Sequence, residues 1–282
     1  MKTIVDKYYD IYRSNNQQFV LPNVFPIIWF GNTVKYFESH RKIISVGLYP
    51  SSKEFTDNNG NINLYYRFPN APIPYSKTPQ DYKRYKSVMD TYFDRNPYMQ
   101  WFRRNEEVLN YFGASYNVGK GIKNKWKNDI INTALHIDMI APVAPNPIYN
   151  LSNNNIKQLN TLYGEFFNDT IAWLNPDIIV VSASKKDVKG KLGITHSNAL
   201  IHLTSGYSGY MDLHYIGPKG YNKHVSVPQK PSNVIESPAL PNTNQNKKVS
   251  VVWGLNRQTP FSGSGMNANF IETACKTFLP YI

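Results

Sequence analysis

The chain is poor in the residues that build covalent or metal-held sites. Cys275 is its only cysteine, which excludes an internal disulfide and any cysteine-ligated zinc or iron–sulfur centre. Its six histidines are scattered without a single His-x-x-x-His pair, so spacing supports no metal site and the expectation is a metal-independent protein without a cofactor. No apolar run approaches the ~20 residues that span a bilayer. The first residues, Met1-Lys2-Thr3-Ile4-Val5-Asp6, have no apolar signal-peptide core. A soluble, cytoplasmic, monomeric protein with no membrane partner is expected. Acidic residues are also scarce, 19 Asp plus Glu against 31 Lys plus Arg, for a net charge of +12. A protein this basic commonly meets a polyanion, and nucleic acid is the commonest one. The alternative is a merely solvated basic surface.

What is abundant is apolar and aromatic: 41% hydrophobic residues and 21 Tyr in 282 residues, a globular composition with enough chain for a large core. The organising stretch is Ile43-Ile44-Ser45-Val46-Gly47-Leu48-Tyr49-Pro50-Ser51-Ser52. It reads as a buried strand running into a Gly-x-x-Pro turn, because Gly tolerates positive φ and Pro fixes it near −65°. In open α/β sheets ligands bind at the carboxyl ends of strands.

Further buried strands are expected at 130–142, which contains His136 and Asp138, at 177–182 and at 249–254. Helical spacing predicts helices over 1–20, 32–40, 79–93, 99–112, 155–173 and a final one containing Phe270, Ile271, Ala274 and Phe278. Strands alternating with helices imply a single α/β domain, 1–282, with a four-stranded, mainly parallel central sheet flanked by helices. Residues 185–248 differ in texture, with alternating segments and five Pro between Pro218 and Pro241. They are expected to be a hairpin-and-loop insertion. A basic run at 117–127, with Lys123 and Lys125, could track a phosphate backbone or be a solvated loop.

Three strand exits stand in order: Gly47-Leu48-Tyr49-Pro50-Ser51, then His136-Ile137-Asp138, then Arg257-Gln258-Thr259-Pro260-Phe261-Ser262. This layout resembles the uracil-DNA glycosylase superfamily over residues 40–180 and 249–280. The resemblance implies that DNA is the partner and that the nucleotide is flipped into a pocket. It also implies that a pyrimidine base is excised to leave an abasic site, in DNA repair or phage defence. It assigns Gly47, Leu48, Tyr49, Pro50 and Ser51 to the loop that positions water and walls the base pocket. Tyr49 replaces the family's Asp or Asn there, and Asp138 is the candidate substitute, unless it merely caps the following loop. His136 would read the base or order Asp138, or be a core histidine. Arg257 takes the place of the family's leaving-group donor, or clamps a phosphate. Phe261 matches a side chain wedged into the duplex, or fills the core.

Small residues that could approach phosphates are Ser52, Thr259, Ser262, Gly263 and Ser264. Phe68, then Phe55, are the candidates for stacking on the flipped base. Ser51 stands where a uracil-specific enzyme has Tyr, which implies a pyrimidine substituted at carbon 5. Tyr207, Tyr210, Asp212, His214 and Tyr215 of the insertion would line the enlarged pocket. The other reading is a catalytically inactive protein of the same fold that recognises modified DNA, as Tyr49 suggests.

Overall fold

The structure, a computed structural model, describes residues 1–15, 19–117, 130–146, 151–206, 208–216, 247–255, 260–263 and 265–282. Its centre is a sheet of six strands: β1 Ile43–Gly47, β2 Ala134–Asp138, β3 Ile178–Ser182, β4 Ile201–Thr204, β5 Tyr210–Ile216 and β6 Val249–Gly254, in the order β2-β1-β3-β6-β5-β4. β2, β1, β3 and β6 run parallel, while β5 is antiparallel to β6 and β4 to β5. The fold is therefore α/β with a mixed six-stranded sheet, not the four-stranded one expected. β5 is buried along its whole length and pairs with β6 from Met211 to Ile216. Part of the segment expected as an insertion is thus built into the central sheet.

The parallel strands read as near-continuous apolar runs because both faces of such a sheet are covered, and every residue of β1, β2, β3 and β6 is buried. Of the helices, α1 is Lys2–Ser14, α2 Thr33–Glu38, α3 Pro79–Asp90, α4 Met99–Tyr111, α5 Asn153–Leu162, α6 Phe166–Leu174, α7 Lys185–Leu192 and α8 Ala268–Phe278. α4 packs on β1 and β3 and against α8, which reaches β5; α2 and α6 contact β2, and α1 packs on α6.

The single helix expected over 155–173 is two. Gly164 sits at the break, where a Cβ would lie 2.6 Å from the Asn160 carbonyl oxygen. α7 is a helix that apolar spacing does not reveal. Its Ser184 cap accepts from the Asp187 N–H, and Gly193 closes it in the left-handed conformation, so capping defines it at both ends. Among the described residues no helix is long and apolar enough to cross a membrane.

Residues paired across neighbouring strands point to the same face of a sheet. The row His136–Ser45–Val180–Val252–Leu213–Ile201 therefore faces one side, and the row Ile137–Val46–Val181–Trp253–Asp212–His202 faces the other. This alternation separates two polar clusters.

Candidate active site

The first cluster lies where β1 and β2 end together. Gly47 stands opposite Asp138 in the ladder. A Cβ on Gly47 would lie 2.6 Å from Asp138 Oδ1 and 3.1 Å from His136 Nε2. Only glycine lets both side chains lean across β1, so Gly47 is needed here for space. His136 and Asp138, two residues apart on β2, are 1% and 2% exposed. His136 Nδ1 is 2.6 Å from Ser45 Oγ, which also bonds the Tyr116 hydroxyl, and His136 Nε2 is 3.6 Å from Asp138 Oδ1. The rings of Phe30 and Phe102 flank the imidazole at 5.7 and 5.1 Å. A buried polar chain thus runs from Tyr116 through Ser45 and His136 to Asp138, walled by aromatic rings.

Glu54 is the member that sequence reasoning missed. It follows the Gly47–Ser52 turn in a single 3₁₀ turn, Ser52–Phe55, whose Ser51 cap accepts from the Lys53 N–H. Glu54 is buried and accepts a 2.5 Å hydrogen bond from the Tyr92 hydroxyl. Burial pushes its carboxyl up to about 8 and the negative charge of Asp138 pushes the same way, against opposing pulls from the Tyr92 bond and the Arg67 charge. At neutral pH the protonated form of Glu54 is therefore favoured. The Tyr49 phenol is raised by burial, then by the charges of Asp187 and Asp138. Behind Tyr116, burial lifts Glu106 to about 7 while it accepts from Ser115 Oγ and the Tyr116 N–H.

Among the expected pocket residues, Gly47 and Pro50 are buried, and Leu48, Tyr49, Ser51 and Ser52 are partly exposed. Phe55 and Phe68 are both fully buried, edge-on to Phe25 at 5.4 and 5.1 Å. In this conformation they belong to the aromatic core and offer no open stacking platform. Phe261 is fully buried as well. Its ring fills the space beside Gly254, where a Cβ would meet it at 2.3 Å, and its N–H donates to Ser182 Oγ at 3.2 Å. It sits as a core side chain and not as an exposed wedge. Ser262 is partly exposed and Gly263 exposed. Arg257, Thr259, Ser264, Lys123, Lys125 and Tyr207 lie outside the described residues.

No protein family, no curated protein and no solved structure matches this chain.

The second cluster was expected as part of the same pocket but lies on the other face of the sheet. Asp212 pairs with His202 on one side and Trp253 on the other, a row offset by one residue from His136 and Asp138. Tyr210 and His214 share its face by the two-residue alternation of β5. Tyr215 points the opposite way. Tyr210, Asp212 and His214 therefore do not enlarge a pocket around Asp138, and the Tyr215 hydroxyl is taken up by the Tyr281 carbonyl. His196, from a 3₁₀ turn at His196–Asn198, stacks on Trp253 with ring centres 4.6 Å apart and 9° between planes. Sequence spacing could not reveal this cluster, because its members meet through the β4–β5 register and a turn.

Proposed function

We propose that the chain is a DNA glycosylase that hydrolyses the N-glycosidic bond of a flipped pyrimidine nucleotide. The observation that carries this reading is that two buried carboxyl groups follow adjacent parallel strands, Asp138 as the last residue of β2 and Glu54 in the 3₁₀ turn after β1, with burial raising the Glu54 carboxyl to about 8. Cleavage of a glycosidic bond uses one carboxyl group as proton donor and a second that faces the sugar. The sugar becomes oxocarbenium-like as the base departs with negative charge. Asp138 would face the sugar, stabilise its positive charge and orient the attacking water. Glu54 would donate to the leaving base, supplying a positioned proton where charge develops. His136, fixed by Ser45, would hold Asp138 or contact the base edge.

The resemblance to uracil-DNA glycosylases and the net charge of +12 support DNA as the carrier of that bond. Both carboxyl groups are covered in this conformation. Admission of a base therefore requires the partly exposed Leu48–Ser52 turn to swing aside. Ser51 leaves more room than a tyrosine would, which favours a pyrimidine substituted at carbon 5.

The test uses oligonucleotides carrying uracil, thymine or 5-substituted cytosine, with abasic sites read by alkaline strand cleavage and released bases by mass spectrometry. The wild-type protein is expected to cleave at a 5-substituted pyrimidine. Asp138→Asn should lose cleavage by about 10²-fold or more with DNA affinity retained. Release of uracil alone would refute the substrate assignment. Tight binding of modified DNA with no cleavage of any base would replace the enzyme with the second reading, a base-recognising protein, which Tyr49 in the water-positioning loop favours.

A further inference from the structure

His196, His202 and Asp212 converge from a turn and two antiparallel strands. Nδ1 of His196 lies 2.5 Å from one carboxylate oxygen of Asp212, and Nδ1 of His202 lies 2.5 Å from the other. One potential ligand atom from each of the three residues falls within 4.8 Å of the others. The carboxylate is fully buried, while the two imidazoles are 25% and 41% exposed. The cluster thus has a closed floor and a side open to solvent. His214, two residues along β5, is fully buried, and neither ring nitrogen has a hydrogen-bond partner. Its Nε2 is 3.6 Å from Asp212 Oδ2.

One imidazolium is enough to balance one carboxylate, yet the fold brings three imidazoles to Asp212. His214, buried with neither ring nitrogen hydrogen-bonded, stands 3.6 Å from the same carboxylate, so the cluster holds more donors than one carboxylate can use. Imidazole nitrogen with carboxylate oxygen and no thiolate is the donor set of first-row divalent transition ions; calcium and magnesium prefer all-oxygen sites.

We propose that His196, His202 and Asp212 bind a divalent transition ion of the zinc or ferrous class, with His214 beneath it and a coordination position open to solvent. Donors ~2.0–2.1 Å from a tetrahedral ion stand roughly 3.3 Å apart, so binding opens the two 2.5 Å histidine–aspartate contacts by less than ~1 Å and draws the more widely spaced donors together. His202, on the edge strand, has room to do so. Trp253, stacked on His196, holds that ring in plane as a positioning residue. The site faces away from His136 and Asp138 and stands independently of the glycosylase reading.

The test strips the full-length chain with a chelator and titrates it with Zn²⁺ by calorimetry and with Co²⁺ by visible absorption. One ion per chain and Co²⁺ ligand-field bands are expected. His196→Gln and His202→Gln should each weaken binding by at least about tenfold, while His40→Gln, at an exposed histidine elsewhere, should leave it unchanged. Circular dichroism checks that each variant is folded, and His202→Gln alone decides if the other is not. No saturable binding by the wild-type chain, or binding that His202→Gln leaves intact, overturns the proposal and leaves a plain histidine–aspartate ion cluster.

Discussion

Glu54 keeps its proton because the fold removes it from water, so its ionisation is coupled to folding. The folded carboxyl titrates near 8 and the unfolded one near 4.5. Between those values the folded state binds the extra proton, so stability falls as pH rises. The stabilisation is fully present below pH 4.5 and lost as pH passes 8, with a ceiling on the order of 5 kcal/mol. Glu54→Gln, which can still accept from Tyr92, is expected to flatten that decline. Denaturant midpoints at pH 5 and pH 9 should fall less in the variant than in the wild type. Glu106, lifted to about 7, titrates in both proteins and cancels from the comparison. Equal declines would mean that Glu54 ionises freely in the folded state. At Gly47 the argument is steric: a methyl would sit 2.6 Å from Asp138 Oδ1. Gly47→Ala should cost about 1–3 kcal/mol, read as a lower melting temperature, and should remove excision by turning Asp138 aside. His136 and Asp138 were visible in the sequence as a pair on one face of a strand. Glu54 was not, because a single acidic residue just past a turn carries no spacing signal and its hydrogen-bond partner, Tyr92, is remote in the chain.

At the scale of elements, β5 distinguishes a sheet strand from an appended hairpin. Leu213 is fully buried and paired on both sides, with Ile201 and Val252. Leu213→Ala should therefore cost about 2–5 kcal/mol, as core truncations do. A loss under about 0.5 kcal/mol in urea unfolding would return β5 to the periphery. β1, β3 and β6 were legible because each is a short apolar run bounded by turn residues. The alternation at 201–203 and 210–216 also announced a hairpin. Its partner was not announced, since nothing local says that Asp212 pairs with Trp253, and the second histidine cluster stayed hidden for the same reason. α7 was hidden differently. Val188 and Leu192 are its only buried residues, too few to set up an apolar face.

For the whole molecule, the net charge of +12 bears on how any polyanion is held. If DNA is the partner, affinity should fall by about tenfold or more between 50 and 200 mM salt, as counterions displaced from phosphates return. Fluorescence anisotropy with a labelled duplex measures it, and a flat salt response would argue that the charge is only a solvated surface. The same scale shows how the cluster at β2 is kept in register. The His136 N–H donates to the Phe30 carbonyl at 2.9 Å and the His136 carbonyl accepts from the Phe30 N–H at 2.8 Å, on the side of β2 away from β1. The sheet's outer flank is therefore sealed at the residue that carries the imidazole. Its amide should be among the last in the chain to trade hydrogen for deuterium, needing global unfolding to do so.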